Sequence, residues 1–349
     1  MSNKLRYLLT VLLFLALIAY VAYKFRSNRE WQNFEFGQFR STLVQLDLRF
    51  LLIALISIYS TYLLRSLRWR EFLLPLKPTS VGNLLTATII GFGGLALFGR
   101  PGEFVRPYLI SRKEEMPVST QMAVWVLERV YDMSMIVAIL GGVMFFSLET
   151  GGLSSMRASA LAPIRAAGLS ILAMTVCGIT GLALFRRYWR DWVPRLTRLL
   201  GFLPARAARK VQQVQEEFGQ GLSSLHSSRA FWMGLVYTGL IWVCISLGYF
   251  ITLKAFGPPL SQFSFTAAVL VMGFAISGSL LQVPGIGGGT QVFTIIALTE
   301  VFGVRPEAAT SAALVLWLLT FVAVVPAALM LSFREGLSWR KLGLLTANQ

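Results

Sequence analysis

Long uncharged runs separated by short basic stretches dominate the chain. They cover Tyr7–Tyr23, Phe50–Leu64, Pro78–Gly99, Met133–Leu148, Ala166–Phe185, Ala230–Leu253, Ala255–Thr299 and Ala308–Phe333. About 20 helical residues cross the hydrocarbon of a bilayer, so most of these runs predict transmembrane helices. Two are short. Phe50–Leu64 extends to Ser41–Leu64, and Met133–Leu148 extends to Pro117–Leu148 provided that Glu128, Arg129 and Asp132 lie within the membrane. The first run follows a basic start and has a basic right flank but no small-residue cleavage site, which predicts an uncleaved span.

Basic residues set the orientation. The loop Arg186–Lys210 holds Arg186, Arg187, Arg190, Arg195, Arg198, Arg206, Arg209 and Lys210, which marks it as cytoplasmic. The cluster Arg65, Arg68, Arg70, Lys77 and the tail Arg334, Arg340, Lys341 are assigned to the same side. Counting crossings then requires residues 78–115 to begin and end inside, and residues 254–307 to begin and end outside. Each segment has a long apolar limb, a Gly/Pro break and a short limb. The second short limb, Gly289–Phe302, is only about 21 Å of helix. A re-entrant hairpin in each place is the economical solution; two kinked full spans would satisfy the same count.

The hairpins also resemble each other. Gly91-Phe92 precedes Pro101-Gly102 in the first, and Gly273-Phe274 precedes Pro284-Gly285 in the second. Broken segments in corresponding positions with opposite topology point to an inverted-repeat transporter. The stretch Ala205–Arg229 reads as a cytoplasmic amphipathic helix and loop, and holds the single histidine, His226, as a solvated residue.

Composition agrees with a membrane protein. Of 349 residues, 55% are hydrophobic and 14% charged, with a mean hydropathy of +0.64, where a soluble chain carries roughly a quarter charged. The net charge of +16 is read as positive-inside loops beside anionic lipid, not as nucleic-acid binding. Cys177 and Cys244 lie in apolar runs and pack as small hydrophobes. No phosphate-binding G-x-x-x-x-G-K-[ST] motif and no His/Cys cluster suited to zinc occurs, so neither a cofactor nor a metal is expected.

The candidate chemistry lies in three elements. In "GRPGEFVR", Pro101 suits a helix start and Gly102 a close backbone approach. The short limb's N-terminus would be an anion site, Arg100 and Arg106 would grip phosphate, and Glu103 suits the first turn. In "QMAVWVLERVYDM", Gln121, Trp125, Glu128 and Asp132 share one helical face, with Arg129 in reach of Asp132. The second tip, "VPGIGGGTQ", offers backbone N–H groups around Pro284, Gly285, Gly287, Gly288 and Gly289, then Thr290 and Gln291 as neutral donors. Ionisable residues at membrane depth are functional-site candidates. The same charges, Arg100, Arg106 and Arg129 against Glu103, Glu128 and Asp132, could equally form a network that only locks helices.

"GRPGEFVRPYLISR", then "WVLERVYDM", then "LLQVPGIGGGTQ" resemble the membrane region of the lysylphosphatidylglycerol synthase/flippase family, from about Phe50 to Phe333. The family pattern falls on Arg100, Gly102, Glu103, Arg106, Glu128, Arg129 and Asp132, and its late Pro-Gly-x-Gly element on Pro284, Gly285, Gly287 and Gly288. The resemblance implies binding and translocation of an anionic or aminoacylated phospholipid, or of another lipid-linked headgroup. Two departures stand out. Full-length synthases carry a soluble aminoacyl-transfer domain after this region, whereas this chain runs to Gln349, so lysyl transfer is not expected. Many relatives also carry an acidic residue where this chain has Thr290-Gln291.

The expectation is therefore an all-α polytopic protein of the inner membrane, with six full spans, two re-entrant hairpins and both termini cytoplasmic. Residues 1–349 form one membrane domain: an N-terminal span and external loop (1–40), a first half (41–148, hairpin 78–115), a linking span and basic cytoplasmic amphipathic segment (149–229) and a second half (230–349, hairpin 255–307). Its expected role is lipid flippase, with no catalytic residue. Its expected partners are membrane lipids, either anionic phospholipid or polyprenyl-phosphate-linked lipid. An intramembrane transferase on polyprenyl phosphate or phospholipid, and a non-transporting scaffold, are the alternatives. The sequence leaves the oligomeric state open.

Overall fold

A computed structural model describes residues 29–149, 227–279, 282–283 and 287–337, with Ser170, Thr180 and Glu217 as isolated positions. The spans Tyr7–Tyr23 and Ala166–Phe185 lie outside the described residues, or nearly so. The same holds for the loop Arg186–Lys210, for His226, Cys177, Arg340 and Lys341, and for Pro284 and Gly285 of the second tip.

Among the described residues the chain is helical apart from one two-residue antiparallel ladder, Gln282–Val283 with Gly287–Gly288. The helices of eight residues or more are α1 (Phe36–Val44), α2 (Leu48–Leu73), α3 (Val81–Phe98), α4 (Val105–Glu114), α5 (Val118–Glu149), α6 (Ser228–Lys254), α7 (Phe265–Gly278), α8 (Gly289–Ile296), α9 (Pro306–Trp317) and α10 (Val324–Arg334). Helix α9 continues into α10 through a π-helical turn, Leu318–Val322. Among the described residues, four helical stretches are long and apolar enough to cross a membrane: Leu48–Leu73, Val81–Phe98, Ser228–Lys254 and Pro306–Arg334. The chain is a multi-pass membrane protein.

Local chemistry explains the boundaries. Asp47 accepts from the Arg49 N–H, Ser227 from Ala230 and Ser264 from Ala267, so α2, α6 and α7 each begin on a side-chain cap. Helix α9 opens with Pro306 at its first turn and Glu307 beside it, which suits the positive end of the helix. The extension proposed for the second hydrophobic run needs correcting. Residues Ser41–Val44 belong to α1, a separate helix, because Asp47 caps a new start at Leu48; α2 instead gains its length at the other end, running on to Leu73.

Two hairpins organise the packing. In the first, α3 leads through Gly99 and a 3-10 turn, Arg100–Phe104, into α4. A Cβ on Gly102 would lie 2.1 Å from the Gly94 carbonyl oxygen, so the limbs cross at a glycine pair. In the second, α7 returns through the ladder into α8, and a Cβ on Gly278 would lie 2.2 Å from the Gly289 carbonyl oxygen. Each hairpin has its own apolar core. Ala87, Ile90, Val105 and Leu109 pack with Trp69 of α2 and with Val124 and Leu127 of α5. Val269, Met272 and Leu298 pack with Tyr249 of α6 and with Ile136 and Met144 of α5. Helix α5 thus serves one hairpin with its first half and the other with its second.

A candidate anionic-headgroup site at the first hairpin

The site is built where one face of α2 meets one face of α5. Along α2, Arg65, Arg68, Trp69 and Phe72 share a helical face at spacings of three, four and seven, and all four are buried. Along α5, Glu128 and Asp132 are four residues apart and also buried. Arg68 joins them: its Nη2 donates to Glu128 Oε1 at 2.5 Å, and its Nη1 donates to Asp132 Oδ1 and to Thr238 Oγ1, each at 2.7 Å. The Arg68 bond to Thr238 ties α6 into the network, and the Thr238 hydroxyl in turn donates to the Gly234 carbonyl at 2.6 Å. Arg65 Nη1 donates to Asp132 Oδ2 at 3.2 Å, and Arg106 Nη2 to Glu128 Oε2.

Arg106 comes from the first hairpin, and its position depends on Gly91. A Cβ there would lie 2.5 Å from the Arg106 Cβ, so only a hydrogen at that position lets α4 approach α3 this closely. The Arg106 guanidinium lies 4.1 Å from the Trp69 ring centroid, a cation–π contact that offsets part of its desolvation. The Trp69 indole in turn donates to Gln121 Oε1 at 2.9 Å. Gln121 is therefore a buried support for Trp69.

A cleft of about 70 Å³ opens beside this network. Arg65, Arg106, Arg129 and Glu103 line it, with Phe92, Leu95 and Trp125 as apolar walls. Since one water needs roughly 10–15 Å³ on this measure, the space has room for a group of phosphate size. Arg129 is 35% exposed, with Nη2 3.7 Å from Glu128 Oε2 and its guanidinium 5.8 Å from the Trp125 centroid. In the network Arg65, Arg68, Arg106 and Arg129 meet Glu128 and Asp132, an excess of two positive charges. Glu103 adds none, because it pairs with Arg100 at 3.3 Å.

The sequence-predicted residues divide accordingly. Glu128, Asp132, Arg106, Arg129, Trp125 and Glu103 come together around the network and cleft. Arg129, within reach of Asp132 by sequence, lies instead against Glu128, whose Oε2 it shares with Arg106. Gly102 acts in the hairpin crossing. Arg100 stays half-exposed outside the cleft, and its Nη2 donates to the Ser279 carbonyl at 3.3 Å, which links the first tip to the end of α7. At the second tip Gln291 Oε1 accepts the Gly288 N–H at 2.7 Å, so one of the expected amides is used internally. Thr290 is buried with no partner for its hydroxyl, Gly287 and Gly288 form the ladder, and Pro284 and Gly285 lie outside the described residues.

Sequence reasoning missed Arg65 and Arg68, which it assigned to a cytoplasmic basic cluster, and Thr238. For the arginines a signal existed: their shared face with Trp69 and Phe72 continues the helix beyond Leu64.

Comparison with known proteins gives two matches. The family model described as lysylphosphatidylglycerol synthase TM region matches residues 7–328. A protein named glycosyltransferase AglD, from Haloferax volcanii, is 26% identical over 273 residues, which cover 72% of this chain and 43% of the relative. The chain thus spans less than half the length of that relative. No solved structure matches.

Proposed function

Because the chain belongs to the lysylphosphatidylglycerol synthase TM region family, we propose that it is a lipid flippase. The cleft beside Arg65, Arg106 and Arg129 receives an anionic or aminoacylated phospholipid headgroup, or another lipid-linked headgroup, and the lipid tails stay in the bilayer. The observation that carries this reading is the charge excess. Four guanidiniums meet two carboxylates in the buried network, and three of those arginines line the cleft beside it with Glu103, so in hydrocarbon surroundings the balance favours an anion there. Chains of this family have a membrane- and lipid-related role, and a phosphate-bearing headgroup is the anion such a membrane supplies.

The two hairpins support transport. In this reading each is re-entrant, the first from the cytoplasm and the second from outside, as halves of an inverted repeat. Their shared Gly–Gly crossing and the Arg100–Ser279 bond between them favour that arrangement. Both termini are cytoplasmic in this scheme, in the inner membrane.

The match to a protein named glycosyltransferase raises a transferase reading. The geometry favours it less, since Glu128 and Asp132 are held by arginines on both oxygens and neither is free to take a proton. Reconstitution in liposomes tests the proposal. Wild-type protein should expose acyl-labelled phosphatidylglycerol or polyprenyl phosphate from the inner leaflet to an impermeant quencher, and Arg106→Ala should slow this at least about tenfold. Equal rates for both proteins would defeat the site; release of a transferred product by pure protein would favour the enzyme.

A further inference from the structure

We propose that Gln121 and Trp69 are positioning residues for the headgroup site: without touching the ligand, they aim the Arg106 guanidinium at the cleft and so set how tightly the headgroup binds. The proposal rests on the headgroup-binding reading above and adds to it two residues that act through Arg106.

Arg106 lines the cleft, whereas Trp69 and Gln121 do not, being 1% and 0% exposed. Any influence of these two on a ligand must therefore pass through a side chain that does line it. Arg106 is that side chain, and its freedom is restricted at several points. Gly91 lets its Cβ lie against α3, and Glu128 takes its Nη2. Its Nε is buried, so Nη1 is the nitrogen left to meet a ligand. Where Nη1 points depends on what supports the guanidinium, and that support is the Trp69 ring, 4.1 Å from it.

The ring is fixed in its turn. Trp69 belongs to the apolar core of the first hairpin, and its one polar group, the indole N–H, donates to Gln121 Oε1 at 2.9 Å. An indole N–H can only donate, and a buried one needs an acceptor. Turning the ring would cost that bond together with the cation–π contact. The Gln121 amide is oriented from its other end, where Nε2 donates to the Met116 Sδ at 3.5 Å. Gln121 and Glu128 lie seven residues apart on one face of α5. That helix thus reaches Arg106 twice, directly through Glu128 and, two turns earlier, through Gln121 and Trp69.

The test is a double-mutant cycle on affinity, read by calorimetric titration of the full chain in neutral detergent. The probes are short-chain phosphatidylglycerol and, separately, a short polyprenyl phosphate. Gln121→Leu keeps the volume and removes the acceptor; Arg106→Lys keeps the charge beside Glu128 and removes the second donor edge. Alone, Gln121→Leu should weaken binding of the tighter probe at least about threefold; added to Arg106→Lys, it should weaken binding less than about 1.5-fold. If Gln121→Leu does not fold, Trp69→Phe, which keeps a ring under the guanidinium and drops the N–H, takes its place in the same cycle. Affinity unchanged by Gln121→Leu would mean that the bond only holds helices together. An equal loss in both backgrounds would mean that it acts elsewhere than on Arg106. Either result overturns the inference and leaves the headgroup reading standing, whereas a wild-type protein that binds neither probe removes both.

Discussion

With its guanidinium divided among Glu128, Asp132 and Thr238, Arg68 hydrogen-bonds both carboxylates at once. Replacing it by methionine fills similar volume but leaves two buried carboxylates with Arg65, Arg106 and the more distant Arg129. Removing one member of a buried ion cluster costs about 3–5 kcal/mol. Arg68→Met should therefore unfold at a clearly lower temperature in detergent. Arg100→Ala, which loses a half-exposed pair worth about 0–1 kcal/mol, should unfold near wild type. An Arg68→Met protein as stable as wild type would mean the network does not hold the helices. The carboxylates were legible because Glu128 and Asp132 interrupt an otherwise apolar helix on one face. Their principal partners were not. Arg65 and Arg68 close a hydrophobic run, where basic residues ordinarily mark a cytoplasmic boundary, and only the fold brings α5, sixty residues on, against them. Thr238 carried no signal at all, since a threonine in an apolar helix usually bonds its own backbone, as this one also does.

Among the elements, the hairpins depend on glycines that let two helices cross at backbone contact. Gly102→Ala and Gly278→Ala place a Cβ about 2 Å from a carbonyl oxygen of the opposing limb, which neither backbone can relieve by a side-chain rotation. Each should reduce the yield of folded protein and lower the unfolding temperature. Gly82→Ala provides the comparison: it lies in α3, the limb that Gly102 crosses, its nearest neighbour would be 3.7 Å away, and the gain in helix propensity is up to about 1 kcal/mol. Should Gly102→Ala and Gly82→Ala behave alike in a thermal melt, the close crossing is not what shapes the hairpin. The breaks themselves were readable, because proline and glycine interrupt apolar runs too short to span twice. What the breaks become was not readable. A 3-10 turn forms at Arg100–Phe104, a two-residue ladder follows α7, and π-helical turns occupy Ala297–Val301 and Leu318–Val322. Those choices follow from how each limb meets its neighbours, which no local pattern carries.

At the scale of the molecule, α5 joins two cores of similar construction, and the proposed transport scheme requires the hairpins to enter from opposite faces. Side-specific labelling of single cysteines tests this, after Cys177 and Cys244 are replaced by alanine. Arg112→Cys lies near the end of α4 and Gly257→Cys in the turn after α6; both positions are exposed, and a Cβ at Gly257 meets nothing within 4 Å. If residues 78–115 begin and end inside and residues 254–307 begin and end outside, an impermeant maleimide should reach Arg112→Cys only in inverted vesicles. It should reach Gly257→Cys only in right-side-out ones. A third position separates a hairpin from a pair of spans. Were α3 a complete crossing, the tip at Arg100 would emerge on the outer face, and Arg100→Cys would label there as readily as Gly257→Cys. A re-entrant tip held near the midplane beside Ser279 leaves Arg100→Cys unlabelled from outside. Reaction of Arg112→Cys and Gly257→Cys from the same face would remove the opposed entry on which alternating access between the two hairpins depends.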